Sequence, residues 1–357
     1  MPDSSPNARY IAALNDHISA FLGQQRATVD AISPHATELM DALIQLATGG
    51  KRLRASLAFW GFVGAGGEDD DAAILTLGGS LELFQTAALI HDDLIDASDT
   101  RRGNPSVHRR FEAMHSREQW HKDPARFGGS AAILAGDLCL SLSEQLFATI
   151  SQVPPRTRAI FDEMRLQVMA GQYLDVLEEN AGPVWEADAA LDRARSILRY
   201  KSAKYSAENP VLLGGSLAGA NEQLLEGYSR FALPLGEAFQ LRDDLLGVFG
   251  DPVTTGKPSG DDLREGKRTE LIAHGVQLSS DADREFIQNR LGASDLTDAE
   301  IADMTRILIE SGAQEATENS IQQLSTRAFA ALEDLDIPER AHTALRGLGE
   351  AAVNRNA

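Results

Sequence analysis

The chain has 357 residues, 43% of them apolar, with 53 acidic against 33 basic side chains and a formal net charge of −20. That size and apolar share suit a globular protein and exclude large-scale disorder. So acidic a surface repels nucleic acid and anionic lipid, so an anionic ligand must meet a local cluster of Lys and Arg or bring metal ions with it.

The opening MPDSSPNARY lacks a basic segment followed by an apolar one and does not read as a signal peptide. The longest uncharged stretches, Ala55–Gly67 and Asn209–Asn221, run 13 residues, short of the roughly 18 to 20 needed to span a bilayer; no transmembrane segment is expected. The single cysteine, Cys139, excludes a disulfide framework, and a cytoplasmic location is the expectation. Apolar residues at three- and four-residue spacing predict helices over Ile74–Ile95, Ala131–Ile150, Ile160–Leu177 and Leu224–Phe249. Breaks are expected at Pro34, Gly64–Gly67, Asn104–Pro105, Gly128–Gly129, Pro154–Pro155, Pro210 and Gly250–Gly260, and the stretch His115–Gly129 reads as a surface loop. Pro234 should kink the last long helix or mark its start. With no alternating runs, repeat or linker, the pattern gives an all-α fold of about a dozen helices in one domain, residues 1–357.

Chemistry concentrates at a few points. Gly49-Gly50-Lys51-Arg52-Leu53-Arg54 sets Lys51 and Arg54 one turn apart at the expected start of a helix, a cradle for a diphosphate. His91-Asp92-Asp93-Leu94-Ile95-Asp96 ends the most apolar helix, with Asp92 and Asp96 on one face. Acids at the negative end of a helix dipole need a compensating cation. Hard oxygen donors select Mg²⁺, which commonly bridges to phosphates. Arg101-Arg102-Gly103 follows within a few residues. Gln240-Leu241-Arg242-Asp243-Asp244 repeats the acidic helix end, so two acid pairs can clamp several divalent ions. Lys201, Lys257 and Lys267 are read as lying in polar breaks beside apolar helices. Arg109, Arg110 and Arg193 read as ordinary surface residues, His115, Trp120 and His121 as surface-loop residues, and His91 as a packing neighbour.

Taken in order, GGKRLR, Gln85 seven residues before Asp92, HDDLID, RRG, KSA, QLRDDLL and GDPVTTGKPSGDDLREGK resemble the trans-isoprenyl diphosphate synthases, over about Thr48 to Thr269. The resemblance implies a helical bundle around a deep central cavity, usually a homodimer, that joins isopentenyl diphosphate to an allylic diphosphate. It implies that Asp92, Asp96 and Asp243 ligate three Mg²⁺, with Asp93, Asp244 and Asp262 supporting them. Arg101, Lys201, Lys257 and more weakly Lys267 would bind the allylic diphosphate. Lys51, Arg54 and Arg102, with Gln85 at the edge, would bind isopentenyl diphosphate. Ser202 and Gln240 would stabilise developing positive charge, and Gly250–Gly266 would act as a lid. In the family the growing tail descends along the first-motif helix, so Ala87, Ala88 and Phe84 would set product length, favouring geranylgeranyl over farnesyl or longer products. One departure stands out: Gly247 occupies a place where the family often has aspartate, and Asp251 one turn on is the candidate replacement.

Two rival functions are weaker. A terpene cyclase would carry Asn-Asp-x-x-Ser-x-x-x-Glu late in the chain, whereas Asn15-Asp16-x-x-Ser19 lies near the start and ends on Gly23. A non-catalytic subunit of a heteromeric synthase would have lost motif acids or lysines, and nearly all are present.

Overall fold

The computed structural model describes residues 5–181, 189–250 and 260–354. The fold is all-α, and the chain forms two compact units, Met1–Val153 and Pro154–Ala357.

In the first unit the helices are α1 (Pro6–Ile32), α2 (Thr37–Ala47), α3 (Leu53–Gly64), α4 (Ala72–Ile95), α5 (Val107–Arg117) and α6 (Pro124–Phe147). Helix α4 starts at Asp71, whose side chain accepts the Ala73 N–H at 2.8 Å, satisfying one of the unpaired donors of the first turn. It packs along α6, where Ser80 and Ser143 each donate to the other's backbone carbonyl at 2.8 Å. By length and hydropathy α4 could cross a bilayer, but 72% of its apolar window is buried inside the protein, which marks it as a core helix. Its only charge before Ile90 is Glu82. Arg52 donates to Glu82 at 3.0 Å, to Asn15 at 3.0 Å and to the Ala47 carbonyl at 2.7 Å, so the buried pair is hydrogen-bonded on several sides. Removing one partner of such a pair typically costs about 3–5 kcal/mol.

The second unit contains α7 (Pro155–Ala181), α8 (Ala190–Ile197), a π-helical stretch Leu198–Glu208, α9 (Asn209–Leu217), α10 (Glu222–Phe249) and the short α11 (Asp261–Glu265). Helices Glu270–Leu278, Asp281–Arg290, Asp298–Glu310, Ala313–Glu333 and Glu339–Val353 follow. Helix α10 is the axis, packed by the π stretch, α9 and Ala313–Glu333. The Arg242 guanidinium holds Glu318 at 2.5 and 2.7 Å through two nitrogens, which fixes the end of α10 that bears the second acid motif.

Several expected breaks are not breaks. Gly128–Gly129 lies inside α6, where a Cβ on Gly128 would stand 2.3 Å from the His108 carbonyl; this glycine admits the α5 backbone rather than ending a helix. His115 correspondingly belongs to the last turn of α5, is buried, and meets the His121 carbonyl at 2.9 Å. Pro210 sits where the π stretch passes into α9, inside a continuous helical run rather than at a break. Helix α10 runs on through Pro234 instead of starting there.

Candidate active site

The first unit assembles a basic half-site around two turns. Arg102 and Gly103 form the tip of a two-residue hairpin between Thr100–Arg101 and Asn104–Pro105, both with positive φ (55° and 73°), the geometry of tight hairpin turns. This hairpin escapes period-two reading because each strand has two residues. It sends Arg102 back to the GGKRLR segment, where its Nη1 donates to the Leu46 carbonyl at 2.7 Å. A Cβ on Gly50 would lie 2.6 Å from Arg102 Nη2, and Gly50 itself has φ 110°, so only glycine fits there. The glycine pair is thus the seat of Arg102. Burial, followed by repulsion from Arg52, Arg101 and Arg54 against the attraction of Glu82, lowers the Arg102 pKa. Such a concentration of positive charge is relieved by an anion. Helix α3 begins only at Leu53, with Arg52 as its left-handed cap (φ 53°). Lys51 therefore precedes the helix and is exposed, and does not share a helical turn with half-buried Arg54 as expected.

At the end of α4, Asp93 is fully buried and receives both Arg101 Nε at 2.8 Å and Arg101 Nη2, while Asp92 lies 3.8 Å from that Nη2. Asp92 and the capping residue Asp96 remain partly accessible. The stripe Gln85, Ala88, Leu89, Asp92, Asp96 is the partly accessible face of α4. Phe84 and Ala87 are buried, 2% and 0% exposed. His91 packs on α6, its ring occupying the space beside Gly136, in keeping with a packing role.

In the second unit, Gln240 Nε2 donates to Asp244 Oδ1 at 2.9 Å. Burial first, and then the charges of Asp262 and Asp243, push the Asp244 carboxyl up to about 8. An acid set this repulsive fits a bound cation, and its oxygens are the hard donors that magnesium takes. Among the described residues no three His, Cys, Asp or Glu side chains converge to enclose an ion alone. Lys267 lies 2.5 Å from Glu265 and 3.8 Å from Asp262. Lys257 and Asp251 lie outside the described residues.

Lys201 and Ser202 do not sit in a polar break but within the π stretch, a conformation that often marks functional sites. A Cβ on Gly171 of α7 would stand 2.4 Å from the Lys201 nitrogen, and one on Gly236 of α10 would stand 2.5 Å from the Ala203 carbonyl. Two glycines thus let both helices touch the π backbone. The Lys201 ammonium pairs with Asp175, an acid the sequence reading missed. Asp175 lies on the buried face of α7, three residues after Gln172, whose Nε2 is buried without a hydrogen-bond partner. An acid continuing the stripe Ile160, Met164, Val168 and Gly171 at three- and four-residue spacing was the signal that could have found it. Arg193, read as surface, instead chelates buried Glu178 at 2.7 and 3.1 Å.

These two half-sites and the all-α architecture define an isoprenoid-diphosphate-handling protein class. A crystal structure of geranylgeranyl pyrophosphate synthase from Corynebacterium glutamicum, complexed with isoprenyl diphosphate and magnesium, matches with a TM-score of 0.92 and 38% identity, covering 98% of this chain and 99% of that one. A short chain isoprenyl diphosphate synthase of Methanocaldococcus jannaschii is 31% identical over 268 residues, 74% of this chain and 73% of its own. A geranylfarnesyl diphosphate synthase of Aeropyrum pernix is 30% identical over 307 residues, 84% of this chain and 86% of its own. The polyprenyl synthetase family model matches residues 35–308, and the chain belongs to that family. It is a prenyltransferase, a trans-isoprenyl diphosphate synthase.

Proposed function

We infer that the chain condenses isopentenyl diphosphate head to tail with an allylic diphosphate, with magnesium as cofactor, and that its principal product is geranylgeranyl diphosphate. The observation that carries the reading is an acidic helix end beside a cation in each unit: Asp93 and Asp92 with Arg101, and Asp244, flanked by Asp243 and Asp262, within the field of Lys267. The synthase of 38% identity was crystallised with isoprenyl diphosphate and magnesium, which supports the same ligands here. That match covers 98% of the chain, which supports treating residues 1–357 as one synthase domain.

Asp92, Asp96 and Asp243 would hold three Mg²⁺, supported by Asp93, Asp244 and Asp262. Bound there, the ions would supply charge neutralisation to the departing diphosphate. Arg101 and Lys201, with Lys257 and Lys267, take the oxygens of the allylic diphosphate and stabilise the charge that builds as its carbon–oxygen bond breaks. Ser202 and Gln240 present oxygen dipoles to the positive carbon. The isopentenyl double bond attacks that carbon, and the proton lost from the adduct passes to the released diphosphate. No protein nucleophile takes part. Arg102, Lys51 and Arg54, with Gln85, hold the isopentenyl diphosphate. Arg102→Ala or Lys51→Ala should therefore raise the Michaelis constant for isopentenyl diphosphate by about tenfold or more, the loss of one charge-assisted contact. The constant for the allylic partner should move much less, and equal or reversed shifts in steady-state kinetics would count against the assignment.

The accessible stripe of α4 supports the product length. Ala88 lies about 6 Å beneath Asp92 along the helix and Phe84 about 12 Å. The stripe stops at Phe84, which is buried, with Leu81 fully buried below. The test of the whole reading is incubation with isopentenyl diphosphate, each of three allylic starters and Mg²⁺, followed by product chromatography. A twenty-carbon diphosphate is expected; a cyclised hydrocarbon would overturn it.

A homodimer is supported by α7, which is apolar on two faces. Beyond its buried residues it exposes Leu166, Met169 and Tyr173, at 73%, 50% and 65%, along one stripe. Leu166→Glu with Tyr173→Glu should give a monomer by light scattering. A dimer unchanged by both charges would place the interface elsewhere.

A further inference from the structure

Asn15, the first residue of the Asn15-Asp16-x-x-Ser19 fragment, lies on α1, a helix that precedes the stretch 35–308 matched by the family model. The helix is tied to its neighbours along its length. Asn7 accepts the Trp60 indole N–H at 3.0 Å. Tyr10 stacks on Phe59, ring centroids 4.2 Å apart, and its hydroxyl donates to the Ile74 carbonyl at 3.3 Å. Arg26 chelates Asp41 of α2 at 2.6 and 3.1 Å. One further tie reaches the basic half-site: Asn15 Oδ1 accepts Arg52 Nε at 3.0 Å.

Arg52 stands in the middle of the GGKRLR segment yet is only 5% exposed, so it is not placed to meet a ligand. Its guanidinium is held from three directions: Nε by Asn15 of α1, Nη1 by Glu82 of α4 and Nη2 by the Ala47 carbonyl that closes α2. The adjoining Leu46 carbonyl takes Arg102 at 2.7 Å. The negative end of α2 therefore seats two arginines side by side. Arg52 also caps α3 with φ 53° and ψ 31°, a left-handed conformation that a residue with a side chain keeps when its surroundings over-determine it. A planar guanidinium gripped at its two terminal nitrogens can still tip about the line joining them, and the hold on Nε removes that freedom. The turn held in this way sets Lys51 ahead of α3 and Arg54 in its first turn.

We propose that Asn15 is a positioning residue for isopentenyl diphosphate, acting through Arg52: by fixing the plane of that guanidinium it keeps the left-handed turn from which Lys51 and Arg54 meet the diphosphate. The proposal rests on the reading above that Lys51, Arg54 and Arg102 hold this substrate. It gives α1 a part in substrate binding. Asp16 and Ser19 of the same fragment are exposed and take no part.

The test uses the full chain and isopentenyl diphosphate, with binding followed by titration calorimetry, Michaelis constants by steady-state kinetics and stability by thermal melting. Asn15→Ala should weaken isopentenyl diphosphate binding and raise its Michaelis constant, each by about five- to tenfold, the scale of one hydrogen bond. kcat and the allylic Michaelis constant should stay within about twofold, because the loss falls on one substrate's binding. Asn15→Asp keeps an acceptor toward Nε and should restore affinity to within about threefold of the parent. Asn7→Ala is the structural control, since it releases α1 from Trp60 without touching Arg52. It should lower the melting temperature and leave isopentenyl diphosphate affinity unchanged. Unchanged affinity in Asn15→Ala overturns the proposal, and so does an equal loss in Asn7→Ala, which would assign the effect to the docking of α1 as a whole. Lys51→Ala separates this inference from the reading beneath it. If Lys51→Ala weakens isopentenyl diphosphate binding and Asn15→Ala does not, only this inference fails; if neither does, the assignment of the pocket fails too.

Discussion

Asp92→Ala should lower the condensation rate by at least about a thousandfold, the scale of losing a leading contact to charge that develops in the transition state, while the protein stays folded. The separation of the two effects follows from where Asp92 sits. It is partly accessible and lies in the last turn of α4, where the helix dipole makes a negative charge unfavourable. Losing that charge leaves the melting temperature unchanged or slightly higher. Its neighbour behaves differently, because Asp93 is fully buried and bonded to Arg101. Truncating it removes the main partner of the part-buried Arg101 guanidinium and should lower the melting temperature. Paired melting curves and initial rates of the two variants check this, with a chelator titration of the parent enzyme alongside. Full turnover in excess chelator, or an Asp92→Ala enzyme of near-normal rate, would sink the metal reading.

The second large effect is on product identity. Ala88→Phe fills the partly accessible α4 stripe one turn beneath Asp92, at about 6 Å, and should shift output from the twenty-carbon product to farnesyl or geranyl diphosphate. Phe84→Ala should act in the opposite sense and lengthen the chain. Because Phe84 is buried, its truncation also opens a cavity costing about 3–5 kcal/mol, so its products are to be measured at a temperature where the variant remains folded. Ala87 is fully buried as well, and a larger side chain there strains the packing of α4 rather than shortening the product. An active Ala88→Phe enzyme with an unchanged product distribution would show that the tail does not pass this face.

Much of this was legible from periodicity. The expected helices Ile74–Ile95 and Leu224–Phe249 differ from the observed α4 and α10 by two residues at their starts and agree at their ends. Both are long apolar patterns that close on acids or glycine, where pattern and capping signal agree. Several of the failures share one cause. Gly128, Gly171, Gly236 and Gly247 are helical glycines whose missing Cβ makes room for a neighbour's backbone or carboxylate. Sequence shows the glycine but not the neighbour, so Gly128–Gly129 reads as a break and Gly247 as a loss. The π stretch is hidden for a similar reason, since its residues suit an ordinary helix. Only contact with two glycine-bearing helices distinguishes it. Paired acids were visible as motifs, but Asp175 was not, because with Glu178 and Glu179 one turn on it reads as part of the polar end of α7.

The wide turns of Leu198–Glu208 have a consequence for how the chain tolerates length change. A π stretch winds an extra residue into a helix without lengthening it much, and contact with α7 at Gly171 and with α10 at Gly236 holds this one in that form. Each residue removed rotates whatever follows by about 100°. Asn209, Val211, Leu213 and Gly214, now buried, would swing away from their seats while Lys201 and Asp175 drifted apart. The segment behaves as a register lock. Single-residue deletions anywhere in it should be far more damaging than substitutions at the same positions, a pattern opposite to that of the exposed turns between the later helices.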